Sequence, residues 1–278
     1  MPPALPAGWD VDNPKLLSDG IGGRVWRVTL PDGQPAALKQ ASLLAQKEVP
    51  GGNDYLRWLD GDGAVRLLKE HGDLSLMEWA GERTLLAHLE DHGDDAATEI
   101  AADVVARLHA THDVPAPPSL TKLTDNFSSL FAKAEEDRRA GKRSQFVEAA
   151  EAADRLLANQ RDVRPLHGDI HHENILYGAR GWLAIDAKGV LGDPAFDIAN
   201  LFYNPVESAL RTSETRAVSM ATILAERLRC DIGKVLDYAF AFSALSASWH
   251  LEDGNEEEAD RSLAVGRAVG AARRQVRS

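Results

Sequence analysis

The sequence predicts an α+β chain of two unequal lobes, a small β-rich lobe over residues 1–80 and a larger helical lobe over residues 81–278. Three observations predict it. Alternating apolar positions and turn residues crowd the first eighty residues. Apolar residues at one-face helical spacing dominate from about residue 82 onward. A short strand, a polar loop and a hairpin interrupt the helices between Arg164 and Asp186.

Residues 24–30 alternate, which puts Trp26, Val28 and Leu30 on one face of a strand. Pro31-Asp32-Gly33-Gln34 is a turn, and Ala36-Ala37-Leu38-Lys39 returns as the second arm of a hairpin. Residues 54–59 read as a short helix, and residues 64–68 and 74–79 as two further strands. Met77-Glu78-Trp79-Ala80 runs into Gly81 as the connector between the lobes. Residues 96–109 carry Ile100, Val104, Val105 and Leu108 at one-face spacing, with Asp94 and Asp95 near the helix start. Residues 127–139 and 144–160 are two more amphipathic helices. Arg164, Pro165 and Leu166 form a short strand, residues 174–177 a second, and residues 182–185 a third after the turn at Gly178 to Gly181. Helices follow at about 206–228, 231–250 and 256–274. The middle one is apolar on most sides through Val235, Leu236, Tyr238, Phe240, Phe242 and Leu245, so it is the expected buried core helix.

Composition narrows the function. The 278 residues are enough for one large domain or two lobes. A net charge of −12 disfavours nucleic acid and anionic membrane as partners and favours a cationic small molecule. The cluster Arg267, Arg273, Arg274 and Arg277 suits a solvated helix C-terminus. The single cysteine, Cys230, excludes an internal disulfide and reads as a buried thiol, which fits a cytoplasmic location. The segment from Met1 to Gly8 lacks the basic start and apolar core of a signal peptide. No charge-free stretch is long enough to span a membrane.

The chemistry concentrates in His167-Gly168-Asp169-Ile170-His171-His172-Glu173-Asn174 and Leu183-Ala184-Ile185-Asp186. An Asp, an Asn five residues later and a second Asp beyond a hairpin match the spacing of a kinase-like phosphoryl-transfer centre. A substrate hydroxyl needs a carboxylate to orient it and take its proton, a task for Asp169. ATP phosphates need Mg²⁺, a hard ion that takes oxygen ligands, here Asn174 and Asp186. Lys39, at a strand end, would reach the α and β phosphates as a point charge. Either Glu48 or Asp54 would pair with Lys39; Pro50-Gly51-Gly52 interrupts the helix expected after Glu48. Gly20, Gly22 and Gly23 lie between two strand candidates and would let backbone N–H groups approach phosphate. Backbone groups of Glu78 and Ala80 would meet the adenine edge. Asp197 should brace the catalytic loop through hydrogen bonds, because a buried carboxylate needs such partners.

With those residues in hand, the chain resembles the aminoglycoside phosphotransferase superfamily, with its protein-kinase-like two-lobe fold. It is most similar to the streptomycin 6-kinase and hydroxyurea phosphotransferase family. The likeness runs from about residue 20 to 270. It is carried by the His167–Asn174 motif, by Ala184-Ile185-Asp186-Ala187-Lys188-Gly189 and by Gly192-Asp193-Pro194-Ala195-Phe196-Asp197. Gly63-Ala64-Val65-Arg66-Leu67-Leu68, the segments around Glu99 and His109, and Leu245 to Gly254 add to it. The resemblance implies ATP-dependent phosphorylation of an aminoglycoside such as streptomycin, with Asp169 as base, Asn174 and Asp186 on Mg²⁺ and Lys39 on phosphate. Ala187 stands where the family usually has Pro, and Glu173 where it often has Gly. Residues 49–53 replace the expected carboxylate-bearing helix. A guanidinium-bearing acceptor calls for carboxylates and aromatic faces, which Trp249, Glu252 and Asp253 would supply. Glu256, Glu257 and Glu258 suit the first turn of the last helix instead. The alternatives are a metabolite kinase of the same fold, acting on hydroxyurea, a sugar, an amino alcohol or a fructosamine, and a nucleotide-binding regulator without activity.

Overall fold

We describe a computed structural model over residues 2–110 and 113–277; Met1, part of the amino-terminal segment read above, lies outside the described residues. The amino-terminal region is an antiparallel five-stranded sheet. Its strands are β1 (Asp12–Gly20), β2 (Gly23–Thr29), β3 (Pro35–Ala41), β4 (Leu67–His71) and β5 (Leu74–Glu78), in the order β1-β2-β3-β5-β4. The alternation of β3 decides what each face does. Ala36 and Leu38 are fully buried in a small core with Trp26, Val28 and Leu76. The residues between them, Ala37 and Lys39, face a cavity. Leu30 packs against the same small core, on the face expected for it.

Helix α1 (Val49–Leu59) follows β3 and starts earlier than the sequence suggests. Pro50 sits at its first turn, where its missing N–H is no loss. Gly51 and Gly52 do not break the helix; they let it approach another backbone. A Cβ on Gly52 would stand 2.2 Å from the Ala187 carbonyl oxygen, and one on Gly51 2.9 Å from that of Lys188. So residues 49–53 are helical after all, and the two glycines press α1 against the segment that follows Asp186.

The expected strand at residues 64–68 also shifts. Ala64 bridges in parallel to Ala184, and β4 begins only at Leu67. The Val65 N–H donates to the Ala184 carbonyl at 3.1 Å, which ties this stretch to the hairpin that precedes Asp186 rather than to the sheet. The short β6 (Arg83–Thr84), which no alternation announces, leads into α2 (Leu85–His92), and α3 (Asp94–Leu108) follows.

The remainder is helical around one core. Helix α4 (Leu123–Asn126) follows β7 (Thr121–Lys122), then α5 (Ser128–Arg139) and α6 (Gln145–Ala158). Strands β8 (Arg164–Leu166), β9 (Ile175–Gly178), β10 (Gly181–Ala184) and β11 (Val190–Gly192) carry the polar loop. They form two three-stranded sheets, β10-β9-β6 and β7-β11-β8. Two-residue strands such as β7 have no periodicity to read, so they are missed from sequence. A 3-10 turn (Pro194–Phe196) and α7 (Ala199–Tyr203) follow.

The helix expected at 206–228 is shorter, α8 (Glu214–Leu228), because Ser213 caps it: its Oγ accepts the Arg216 N–H at 3.2 Å. Helix α9 (Ile232–Glu252) is the central core helix, with Val235, Leu236, Tyr238, Phe240, Phe242 and Leu245 all buried. Helix α10 (Glu256–Arg277) packs along it.

Candidate active site

The polar loop between β8 and β9 is held by buried partners before it does anything else. Asp197 is at its base, fully enclosed. One carboxylate oxygen accepts the His167 N–H at 3.0 Å and a His109 ring nitrogen at 2.9 Å; the other accepts the Gly168 N–H at 2.7 Å. Burial alone would raise the Asp197 pKa, but the His109 hydrogen bond and the charges around it hold the carboxyl below its ordinary range. The bracing role expected for Asp197 is therefore what the geometry displays.

His167 is the second brace. Its Nε2 donates to the Ile185 carbonyl at 2.8 Å and its Nδ1 accepts the Asp169 N–H at 3.2 Å, which requires a neutral ring. Burial pushes its pKa down, in agreement. One side chain thus joins the loop to the strand that leads to Asp186.

Asp169 is half-exposed at the loop tip. Its Oδ1 accepts from Asn200 Nδ2 at 2.9 Å. Asn174 Nδ2 donates to the Asp169 backbone carbonyl at 3.0 Å and lies 3.5 Å from Oδ2. That leaves Oδ2 the less committed oxygen. Asn174 is mostly buried, and with its amide nitrogen engaged the side-chain oxygen is the atom left for a ligand.

Asp186 adopts the left-handed conformation at φ 60°, unusual for a residue with a side chain and common where function holds the backbone in place. It is ion-paired with Lys39, and its Oδ2 lies 3.8 Å from Lys188 Nζ. Burial favours the neutral acid, but Lys39 and Lys188 keep the carboxyl ionised below its usual range.

Neither carboxylate proposed for Lys39 reaches it. Glu48 pairs with Lys188 at 3.2 Å. Asp54 pairs with Arg57 and accepts from Ser119 Oγ. The physical reason is the start of α1: Glu48 precedes the helix, and the two glycines bring that end to Lys188 rather than to β3.

A cavity of about 730 Å³ lies beside this cluster. Gly20, Gly22, Gly23, Lys39, Glu78, Ala80, Asn174 and Asp186 all line it. Gly20 pairs with Gly23 at the β1–β2 turn. Gly23 has φ 122° and no room for a Cβ, which would sit 2.1 Å from the Gln40 carbonyl oxygen. Ser42 pins the turn, its Oγ donating to the Ile21 carbonyl at 2.6 Å. A smaller adjoining cavity is lined by Lys39, Glu48, Asp186 and Lys188.

The backbone role expected for Glu78 is corrected in part. Its N–H already donates to the Arg66 carbonyl at 2.9 Å, and its carboxylate forms a two-toothed pair with Arg180 at 2.6 Å. Burial would raise its pKa, but Arg180 holds it down.

The predicted acceptor residues stand apart from these cavities. Trp249 is 37% exposed and packs edge-on against Phe242. Glu252 and Asp253 are exposed at the end of α9. None of the three lines the cavities that contain Asp186. Glu258 turns inward instead, bound by Tyr203 and by Arg211 at 2.9 Å.

Sequence reasoning passed over Lys188 and Asn200. The signal for Lys188 was its place two residues after Asp186; that for Asn200 was its place three residues after Asp197.

Comparison with known proteins places the chain in a family. Residues 8–254 match the family described as aminoglycoside/hydroxyurea antibiotic resistance kinase. The chain is 36% identical over 249 residues to a streptomycin 3''-kinase of Klebsiella pneumoniae, covering 86% of this chain and 90% of the relative. It is 32% identical over 271 residues to a streptomycin 6-kinase of Streptomyces griseus, covering 94% and 85%. Its fold is similar to that of the amicoumacin kinase hAmiN in complex with AMP-PNP, Ca²⁺ and Ami, with a TM-score of 0.67 at 17% identity over 94% of this chain and 88% of the other. That fold is the protein-kinase-like one. The chain belongs to the aminoglycoside/hydroxyurea antibiotic resistance kinase family and is a phosphotransferase.

Proposed function

We propose that the chain transfers the γ-phosphoryl group of ATP to a hydroxyl of a cationic aminoglycoside, with streptomycin as the acceptor, in the manner of a streptomycin 6-kinase. The observation that carries this reading is the convergence of Lys39, Asn174 and Asp186 on one cavity, with the Asp169 backbone carbonyl hydrogen-bonded to Asn174. In this reading residues 1–80 bind the nucleotide phosphates, and residues 81–278 hold the catalytic loop and the acceptor. The hairpin turn of Gly20, Gly22 and Gly23 covers the phosphates. Lys39 takes the α and β phosphates. Ala80 and the carbonyl side of Glu78 border the adenine.

Mg²⁺ fits the donors present. Asp186 offers a carboxylate and Asn174 a free amide oxygen, both hard. Among the described residues no group of three or more His, Cys, Asp or Glu could cage a metal, which suits an ion bound by two side chains and the phosphates themselves. When bound, Mg²⁺ would offset phosphate charge as the bond to the leaving group stretches.

The rest is done by the chain. Asn200 fixes Asp169 through Oδ1, so Oδ2 accepts the hydroxyl proton. His167 and Asp197 hold the loop so that this oxygen is in place before substrate arrives. The acidic surface, at net charge −12, attracts a cationic acceptor. Among the described residues no helix is long and apolar enough to cross a membrane, and we assign the reaction to the cytoplasm, where ATP is supplied.

The test is ADP release with Mg-ATP across streptomycin, other aminoglycosides, hydroxyurea, choline and fructosamines. Streptomycin should give the highest kcat/KM, and mapping the phosphate on the product decides between the 3'' and 6 positions. Turnover with hydroxyurea alone would move the assignment to the other half of the family description. No release with streptomycin and no rise in Tm with streptomycin plus a nucleotide analogue would overturn the antibiotic reading.

A further inference from the structure

We propose that Lys188 is a second phosphate lysine, which contacts the γ-phosphoryl group during transfer while Lys39 holds the α and β phosphates; this rests on the ATP-dependent reading above. Its ammonium lies 3.9 Å from Asp169 Oδ2 and 3.8 Å from Asp186 Oδ2. Those two oxygens mark the ends of the transfer, the base that receives the hydroxyl proton and the ligand of the nucleotide's metal. A phosphoryl group transferred from a nucleotide held at Asp186 to a hydroxyl held at Asp169 moves beside Lys188. Among the described residues, Lys188 is the one cation within 4.0 Å of the Asp169 carboxylate.

The lysine is fixed at its root and uncommitted at its tip. The Lys188 and Gly189 N–H groups both donate to the His167 carbonyl, at 2.8 and 3.2 Å. Helix α1 presses on the same stretch through Gly51 and Gly52. An ammonium has three donors. Among the described residues only the Glu48 contact at 3.2 Å is within hydrogen-bond range, and Glu48 is 41% exposed. The contacts to Asp169 and Asp186 are too long to use the other two donors, which remain for a ligand. Lys39 differs: it pairs directly with Asp186 and lines the nucleotide-side cavity, which Lys188 does not reach.

In the transfer, the bond from the γ-phosphorus to the β-phosphate oxygen breaks and its electron pair leaves with ADP. The acceptor oxygen forms the new bond to phosphorus, and its proton passes to Asp169 Oδ2. Charge on the three equatorial oxygens is then exposed between the two ends, where a fixed ammonium stabilises it.

The test is calorimetric binding, without turnover. Wild type, Lys188→Gln, Lys188→Arg and Lys39→Met are titrated with Mg-ADP and with the Mg complex of a β,γ-imido ATP analogue. Lys188→Gln should weaken the analogue about 10- to 100-fold, the loss of one charge-assisted hydrogen bond, and change ADP less than about 3-fold. Lys188→Arg should restore most of the difference, whereas Lys39→Met should weaken both nucleotides. A merely structural lysine would move both nucleotides together. Equal weakening of both by Lys188→Gln, or no weakening of the analogue, overturns the proposal and leaves the ATP reading intact. If wild type binds neither nucleotide, the ATP reading itself falls and the proposal with it.

Discussion

Two groups of acidic side chains in this molecule look alike in sequence and differ in what holds them. In the loop around Asp169 and beside it, each carboxylate meets a donor: Asn200 on Asp169, His109 and two N–H groups on Asp197, Lys39 on Asp186. At the α9–α10 corner, Glu252 and Asp253 are solvated, and Glu258 is spent inward on Tyr203 and Arg211. The difference teaches that a dense run of acids does not make a binding site. Asp169 differs in being fixed through one oxygen while the other is left less committed.

The comparison breaks first if the loop carboxylates are not the working ones. Asp169→Asn keeps the Asn200 contact possible and removes the proton acceptor. It should lower kcat by about 10²–10⁴ with nucleotide affinity held within a few-fold. Single-turnover rates and ADP binding check it, and near-normal turnover would remove Asp169 from the chemistry.

The corner should answer in stability rather than in rate. Glu258→Ala leaves Arg211, only 6% exposed in its side chain, without its charge partner. Burial raises the Glu258 pKa, but Tyr203 and Arg211 outweigh it and keep the group ionised. Breaking such a pair costs about 3–5 kcal/mol. Thermal unfolding should show a large drop in Tm while kcat below the transition changes little. A loss of streptomycin affinity without a loss of Tm would instead move Glu258 into the acceptor site.

A third contrast concerns the loop's own histidines. His167 has both ring nitrogens engaged, whereas His172 is buried with no partner on either nitrogen among the described residues. Burial, then the charges of Arg216 and His171, push the His172 pKa down to about 3. In the unfolded chain it titrates near 6.5. As pH falls from about 6.5 toward 3, the unfolded chain binds a proton that the folded one refuses, so stability is full above that window and lost within it. The depressed carboxylates, Asp186 and Asp197, lose their contribution only as pH falls below about 3.9. Between pH 6.5 and 5, His172 therefore accounts for up to about 2 kcal/mol. His172→Leu should show a smaller fall in Tm than wild type over that range. An unchanged fall would mean that His172 is protonated in the fold.

How far the sequence was legible follows the same division. The loop was legible because its chemistry is local: Asp169, Asn174 and Asp186 are close in the chain, and the turn between β9 and β10 pairs those strands so that the last two come together. The buried nature of α9 was legible because its apolar residues occupy most of its faces. The partner of Glu48 was not, because it depends on two glycines in α1 meeting a backbone more than a hundred residues away. Glycines next to a proline read as a break, and only the approach of Ala187 and Lys188 shows why they sit inside a helix. Glu258 does stand in the first turn of the last helix, as expected; its inward pairing was not legible, because it is set by Tyr203 and Arg211, from α7 and the 3-10 turn Ala209–Thr212, and nothing in the local run of glutamates announces it.

The smallest effect is the sharpest test of the comparison. Asp253 was an acceptor candidate because it lies in the acidic stretch from Trp249 to Glu258. The structure puts it in solvent at the C-terminal cap of α9, where its N–H donates to the Trp249 carbonyl at 3.0 Å. A negative side chain at that end of a helix opposes the dipole, so Asp253→Asn should leave Tm unchanged or slightly higher. An exposed carboxylate attracts a cationic acceptor weakly, by about 0.2–1 kcal/mol, and salt screens it. The KM for streptomycin should then rise less than about 5-fold, with the increment fading at high ionic strength, while the KM for ATP is unchanged. An increase equivalent to about 2–5 kcal/mol that persists in salt would require a desolvated carboxylate in contact with the acceptor. That result would mean the α9–α10 corner folds over the Asp169 loop when substrate is bound, and the two acidic groups would then be parts of one site.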